Sequence, residues 1–173
     1  ELVVEKYLQI GELWETRMNA PDRAIDSYRQ ALSLDDRCLD AMRALEHLYR
    51  QQENWVEILD VFELMLSTLT DGEKKVEVYH RLAKLQSEHM RDAEGAVDTY
   101  RRVLGIMPGD VEAVEALEAI YGAGERWDDL TEVYELHLNA VSDPVYVRTI
   151  RILMAEIFRE RLEDRARAIE VLL

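Results

Sequence analysis

Two stretches of this chain say nearly the same thing. "AIDSYRQAL" runs from Ala24 to Leu32, and "AVDTYRRVL" runs from Ala96 to Leu104, 72 residues later. Sliding the whole sequence by 72 aligns Val4–Leu66 with Val76–Leu138 and gives 21 identities in 63 positions. Chance at an ordinary composition gives roughly five. A third copy starts near Met154 and is cut at Leu173. Each 72-residue unit divides again, because Ala24, Tyr28 and Leu32 recur as Ile58, Phe62 and Leu66 and then as Ala96, Tyr100 and Leu104. The elementary period is therefore about 36 residues, which is the mark of a solenoid whose units stack on their neighbours.

The apolar spacing makes the units helical. Tyr7, Ile10, Gly11 and Trp14 fall at i, i+3, i+4 and i+7, and Ala24, Tyr28, Ala31 and Leu32 at i, i+4, i+7 and i+8. Both spacings place one stripe on one helix face. With only 7 Gly and 3 Pro, breakers are scarce and sit between the stripes, at "NAPD", "TDGE", "MPGD" and "SDP". Thr70 with Glu73 reads as a capping box, and Pro144 after Asp143 as a first-turn proline. The pattern predicts ten helices, near 2–18, 21–33, 37–51, 54–68, 72–89, 92–105, 110–122, 125–140, 144–161 and 164–173.

Here the residues resemble the tetratricopeptide pattern, W-x2-L-G-x2-Y followed by A-x3-F and P. "YLQIGELW" (7–14) resembles its first half and "AIDSYRQAL" its second; "YHRLAKLQ", "AVDTYRRVL" and Pro108 repeat the match. The resemblance implies an all-α fold: a right-handed α-solenoid of antiparallel helix pairs, one domain over residues 1–173. Its units would be about 2–36, 37–71, 72–108, 109–143 and a truncated 144–173. Two departures are systematic. The stretch from Gly11 to Ala24, like Ala83 to Ala96 and Ala155 to Ala168, is one residue longer than the family's. The even units carry Glu46 and Glu118 where the family has Gly, and Ile58 and Leu130 where it has Ala. Odd pairs are expected to pack more tightly than even ones, with Trp55 and Trp127 filling the wider gap. Ala24 and Ala96 would be small because a helix crosses there, with Tyr28 and Tyr100 as the knobs between neighbours.

Charge narrows the partners. The chain has 36 acidic and 21 basic side chains, a formal net charge of −15. Nucleic-acid binding by counterion release needs clustered Lys and Arg, and anionic membranes repel such a chain. No apolar run approaches the ~20 residues of a membrane span. Cys38 is the single cysteine, which points to a reducing, cytoplasmic compartment. The four histidines show no H-E-x-x-H, Cys38 reads as a helix-start residue matched by the N-cap Asp110, and "YGAGER" lacks the strand a phosphate loop needs. Periodic placement assigns the Trp and Tyr residues to packing, and Asp35–Asp36 and Asp128–Asp129 to turns and first helical turns. No catalytic residue, cofactor or metal ligand is expected.

What remains is the face that the first helix of each pair turns to the inner groove in this family. The resemblance puts Glu5, Leu8, Glu12 and Glu15 there in the first unit and Asp40, Arg43, His47 and Arg50 in the second. Glu77, His80, Lys84 and Glu88 follow in the third, then Glu112, Glu115 and Ala119. Leu8 and Glu12 stand where relatives that grip carboxylates begin their basic cluster, which argues against such a clamp. The expectation is a non-enzymatic scaffold for a protein or peptide partner, net basic, with self-association possible through the apolar segments "ELVVEKY" and "AIEVLL". The alternatives are a spacer or regulatory segment of a larger enzyme or transport machine, and, third, an all-helical enzyme.

Overall fold

A computed structural model of the chain describes residues 2–173. Among these residues there are ten helices: α1 (Leu2–Thr16), α2 (Pro21–Leu34), α3 (Leu39–Gln51), α4 (Trp55–Thr68), α5 (Gly72–Glu88), α6 (Ala93–Ile106), α7 (Val111–Ala123), α8 (Trp127–Leu138), α9 (Pro144–Glu160) and α10 (Arg165–Glu170). The chain divides into two compact units, Glu1–Val78 and Tyr79–Leu173. Each has its own core.

In the first unit the stripe read from sequence is the packing face of α2. Ala24 and Ala31 are fully buried and Tyr28 nearly so. A Cβ on Gly11 would stand 2.6 Å from Tyr28 Cε1, so the Tyr28 ring lies on the bare backbone of α1. That is why α1 and α2 run close over a longer stretch than α3 and α4 do. In the second unit α9 and α10 run close over no longer a stretch than α7 and α8 do. In the second unit Ala96 is fully buried and Tyr100 nearly so, as the repeat requires.

The extra residue of the odd units sits in the turn. Each turn within a pair closes with a backbone bond to the end of the first helix. From Ala20, Asp92 and Asp164 that bond reaches back six residues, to Trp14, Gln86 and Phe158, at 2.9, 2.8 and 2.7 Å. From Asn54 and Arg126 it reaches back five, to Tyr49 and Tyr121, at 2.9 Å in each case. All five turns pass through a left-handed residue, Asn19, Glu53, Arg91, Glu125 or Glu163, with φ between 47° and 55°. None is glycine, although this conformation favours it.

Three expectations need correction. Asp71, not Thr70, caps α5: its Oδ1 accepts from Glu73 N at 2.9 Å and Lys74 N at 3.4 Å. The helix starts one residue later than a Thr70 cap would need. Ile10 is 42 % exposed, whereas its repeat counterpart Met154 is 1 % exposed. Met154 sits on α9, between α8 and α10, while α1 packs chiefly on α2. Finally, Trp55 and Trp127 are half-buried and do not fill the even cores. They open α4 and α8, so their indoles reach only the edge, and Ile58 and Leu130 occupy the interior.

Candidate functional site

The first helices of successive pairs meet through the side chains the resemblance singled out. In the first unit, His47 Nε2 on α3 lies 3.7 Å from Glu15 Oε1 on α1. The other Glu15 oxygen accepts from the Tyr28 phenol at 3.2 Å. One carboxylate thus joins the core to the exposed face. Burial, followed by the Glu15 charge and hydrogen bond, pushes the Tyr28 phenol well above its usual range. Gln51 also reaches His47 Nε2, at 2.9 Å. Arg43 turns to Asp40 at 3.6 Å and Arg50 to Glu46 at 3.2 Å. The basic members of the face are each set against a carboxylate, while Glu5 and Glu12 are exposed and Leu8 is half-buried. Glu77 is exposed on α5.

In the second unit the same relationship joins α5 to α7. Lys84 Nζ contacts Glu112 Oε1 at 2.6 Å, and that bond and charge raise the Lys84 amine above its usual value. His80 Nε2 lies 3.0 Å from Asp110 Oδ2, while Asp110 Oδ1 accepts from Ala113 N at 2.8 Å and so caps α7. The His80 side chain is only 14 % exposed and packs against the Tyr100 ring. It is a linchpin between α5 and α7 more than an open contact. Glu115 and Ala119 are exposed.

Some side chains that matter carry no motif in the sequence. Arg29 on α2 bonds Tyr49 on α3, and Arg101 on α6 bonds Tyr121 on α7. All four are among the repeat identities, which was the available signal. His137, read only as a histidine without a motif, is fully buried, and its Nδ1 lies 2.9 Å from the Pro108 carbonyl. A carbonyl can only accept, so Nδ1 carries the proton.

Repeating helix pairs with helix-to-helix faces of this kind have known counterparts. A profile of the tetratricopeptide repeat matches residues 41–77. A crystal structure of MamA aligns over 98 % of this chain and 87 % of its own, with TM-score 0.56 and 18 % identity. The chain folds as a tetratricopeptide-like solenoid. YrrB, described as a tetratricopeptide protein with an unusual peptide-binding site, aligns over 95 % of this chain and 80 % of its own at TM-score 0.53 and 19 % identity. PilF of Pseudomonas aeruginosa aligns over 97 % and 72 % at TM-score 0.54 and 16 % identity. A comparison with curated protein sequences found no significant match. Within the tetratricopeptide frame, the first helices α1, α3, α5 and α7 are those that carry the ion pairs just described. No described helix is long and apolar enough to cross a membrane.

Proposed function

We propose that this chain is a non-enzymatic scaffold that holds a net basic protein or peptide segment on the first-helix face of each of its two units. The observation that carries the reading is the state of that face. In the first unit the cations Arg43 and Arg50 are each already set against a carboxylate while Glu5, Glu12 and Glu77 stand exposed, and in the second Lys84 is likewise set against Glu112. With a formal net charge of −15 around it, such a face attracts basic segments and repels acidic ones. The tetratricopeptide fold supports a polypeptide ligand, and the peptide-binding site described for YrrB is of that kind.

The test uses peptides of equal length and graded net charge, titrated against the 173-residue chain at rising salt. Basic peptides should bind, and binding should weaken as salt rises, because the Debye length is only ~8 Å at physiological ionic strength. Charge reversal at Glu5, Glu12 and Glu77 together should weaken binding more than reversal at Asp26, Glu63 and Asp98, which are exposed on the second helices. Tighter binding of acidic peptides, or binding indifferent to salt and to those three residues, would sink the reading.

A further inference from the structure

The repeat builds the even helix pair twice, and one of the differences between the copies leaves a carboxylate without its arginine. In α3–α4, Glu46 takes the position where the family has glycine, and its 7 % exposed carboxylate accepts from Arg50 Nη2 at 3.2 Å. In α7–α8 the equivalent carboxylate is Glu118, but the residue four further on is Gly122 in place of arginine. A Cβ on Gly122 would meet nothing within 4 Å. Gly122 lines an open cleft of about 290 Å³ between α7, α8 and α9, near the lower end of small-ligand pockets.

Its walls suit a cation. Half-buried Trp127 supplies aromatic surface, and Glu118, Glu156 and Glu160 line it with three carboxylates against one guanidinium, that of Arg161. Arg161 lies over the Trp127 ring at 5.0 Å, and Glu160 also pairs with Arg159 at 2.7 Å. Glu118 accepts from the Tyr134 phenol, and among the described residues no Lys or Arg pairs with it. The homologous carboxylate holds a guanidinium from its own helix; here the carboxylate remains and the guanidinium is missing.

We propose that this cavity is a subsite for the cationic side chain, arginine foremost, of a bound polypeptide. The proposal rests on the basic-ligand reading above and adds to it where one side chain goes. Glu118 takes the guanidinium as Glu46 takes that of Arg50, and Trp127 covers its stem.

The ¹⁵N-labelled chain is titrated with the blocked tripeptide Gly-Arg-Gly and with its citrulline counterpart, which has the same shape and no charge. Saturable shifts are expected at the Trp127 indole N–H and the Gly122 amide. Citrulline should bind about tenfold more weakly, the loss expected for one charge-assisted hydrogen bond. Glu118→Gln should lower affinity by a similar factor. Gly122→Arg rebuilds the Glu46–Arg50 arrangement in the second copy and should abolish binding, while its amide spectrum elsewhere stays that of the parent. The proposal is overturned by equal binding of the citrulline peptide, by no saturable shift at Trp127 and Gly122 at millimolar peptide, or by binding that survives Gly122→Arg. If basic peptides still bind and depend on Glu5, Glu12 and Glu77, the scaffold reading stands and only the subsite falls. If the tripeptide binds here while reversal of those three residues changes nothing, the subsite stands without that face.

Discussion

Arg29 Nε donates to Tyr49 Oη at 2.8 Å, and 72 residues on, Arg101 Nε donates to Tyr121 Oη at 2.9 Å. The bond ties the second helix of an odd pair to the first helix of the next, so it fastens one pair to its neighbour. Each guanidinium also lies near the face of its tyrosine ring, at 5.6 and 5.9 Å. In the second copy Arg101 further reaches Asp129 and Glu132 on α8. Tyr49→Phe and Tyr121→Phe should each cost about 1 kcal/mol, the usual net worth of a buried hydrogen bond. A double-mutant cycle on Arg101 and Tyr121 should show coupling, read from denaturant midpoints at constant slope. Additive single effects would mean the geometry carries no energy.

Ala24 and Ala96 have no exposed surface, and each faces a crossing helix. Ala96→Leu should overpack that contact and cost about 1–3 kcal/mol. An unchanged melting midpoint would mean that no helix crosses closely at Ala96.

Asp71 and Thr70 separate the observed cap from the expected one. Asp71→Ala should cost about 1 kcal/mol, because two backbone donors of α5 lose their acceptor. Thr70→Ala should change stability by no more than a few tenths, as for an exposed residue outside the helix. The reverse ranking by thermal or urea unfolding would restore the Thr70 capping box.

The five turns hold side-chain residues in the left-handed region, where an L-residue costs roughly 1–2 kcal/mol. Glu125 is exposed, with φ 53°. Glu125→Gly should therefore stabilise by about 0.5–1 kcal/mol after allowing for glycine's extra freedom in the unfolded chain. Glu125→Val should destabilise, since a β-branched residue tolerates that conformation poorly. A melting temperature lowered by the glycine would show that the Glu125 side chain contributes something its exposure hides.

Alkaline pH should loosen the fold. Burial raises the phenols of Tyr28, Tyr100 and Tyr134 above the ordinary 10.0, with Glu15 and Glu118 adding to the effect at Tyr28 and Tyr134. A group whose folded value is raised favours the folded state in its protonated form. That stability is complete below pH 10 and is lost as pH climbs from there towards the folded value. Denaturant midpoints should be level below that point and fall above it. The fall should be shallower in Tyr28→Phe and in Tyr134→Phe. A midpoint that stays level to the highest pH at which the chain is soluble would contradict this.

The sequence by itself determined the ten helices and the pairing of α1 with α2 and of α3 with α4. It also marked Ala24, Ala96, Tyr28 and Tyr100 as packing residues. These follow from local rules: apolar spacing fixes which face of a helix is buried, breakers fix where it stops, and a repeat requires the same solution each time. Even the extra residue of the odd units was visible as a length, although only the structure shows it absorbed in the turn before Ala20, Asp92 and Asp164. Tertiary structure decided what depends on elements meeting across 20 or more residues. Ile10 carries the same pattern as Met154, yet it is exposed because burial belongs to the neighbour as much as to the residue. The link from Arg29 to Tyr49, the withdrawal of His80 onto Asp110 and the space beside Gly122 are of the same kind. A period states that two faces will meet; which atoms reach one another, and where a missing side chain leaves room, is set by the distance between helix axes. That distance is the sum of all the side chains between them, and no single position encodes it.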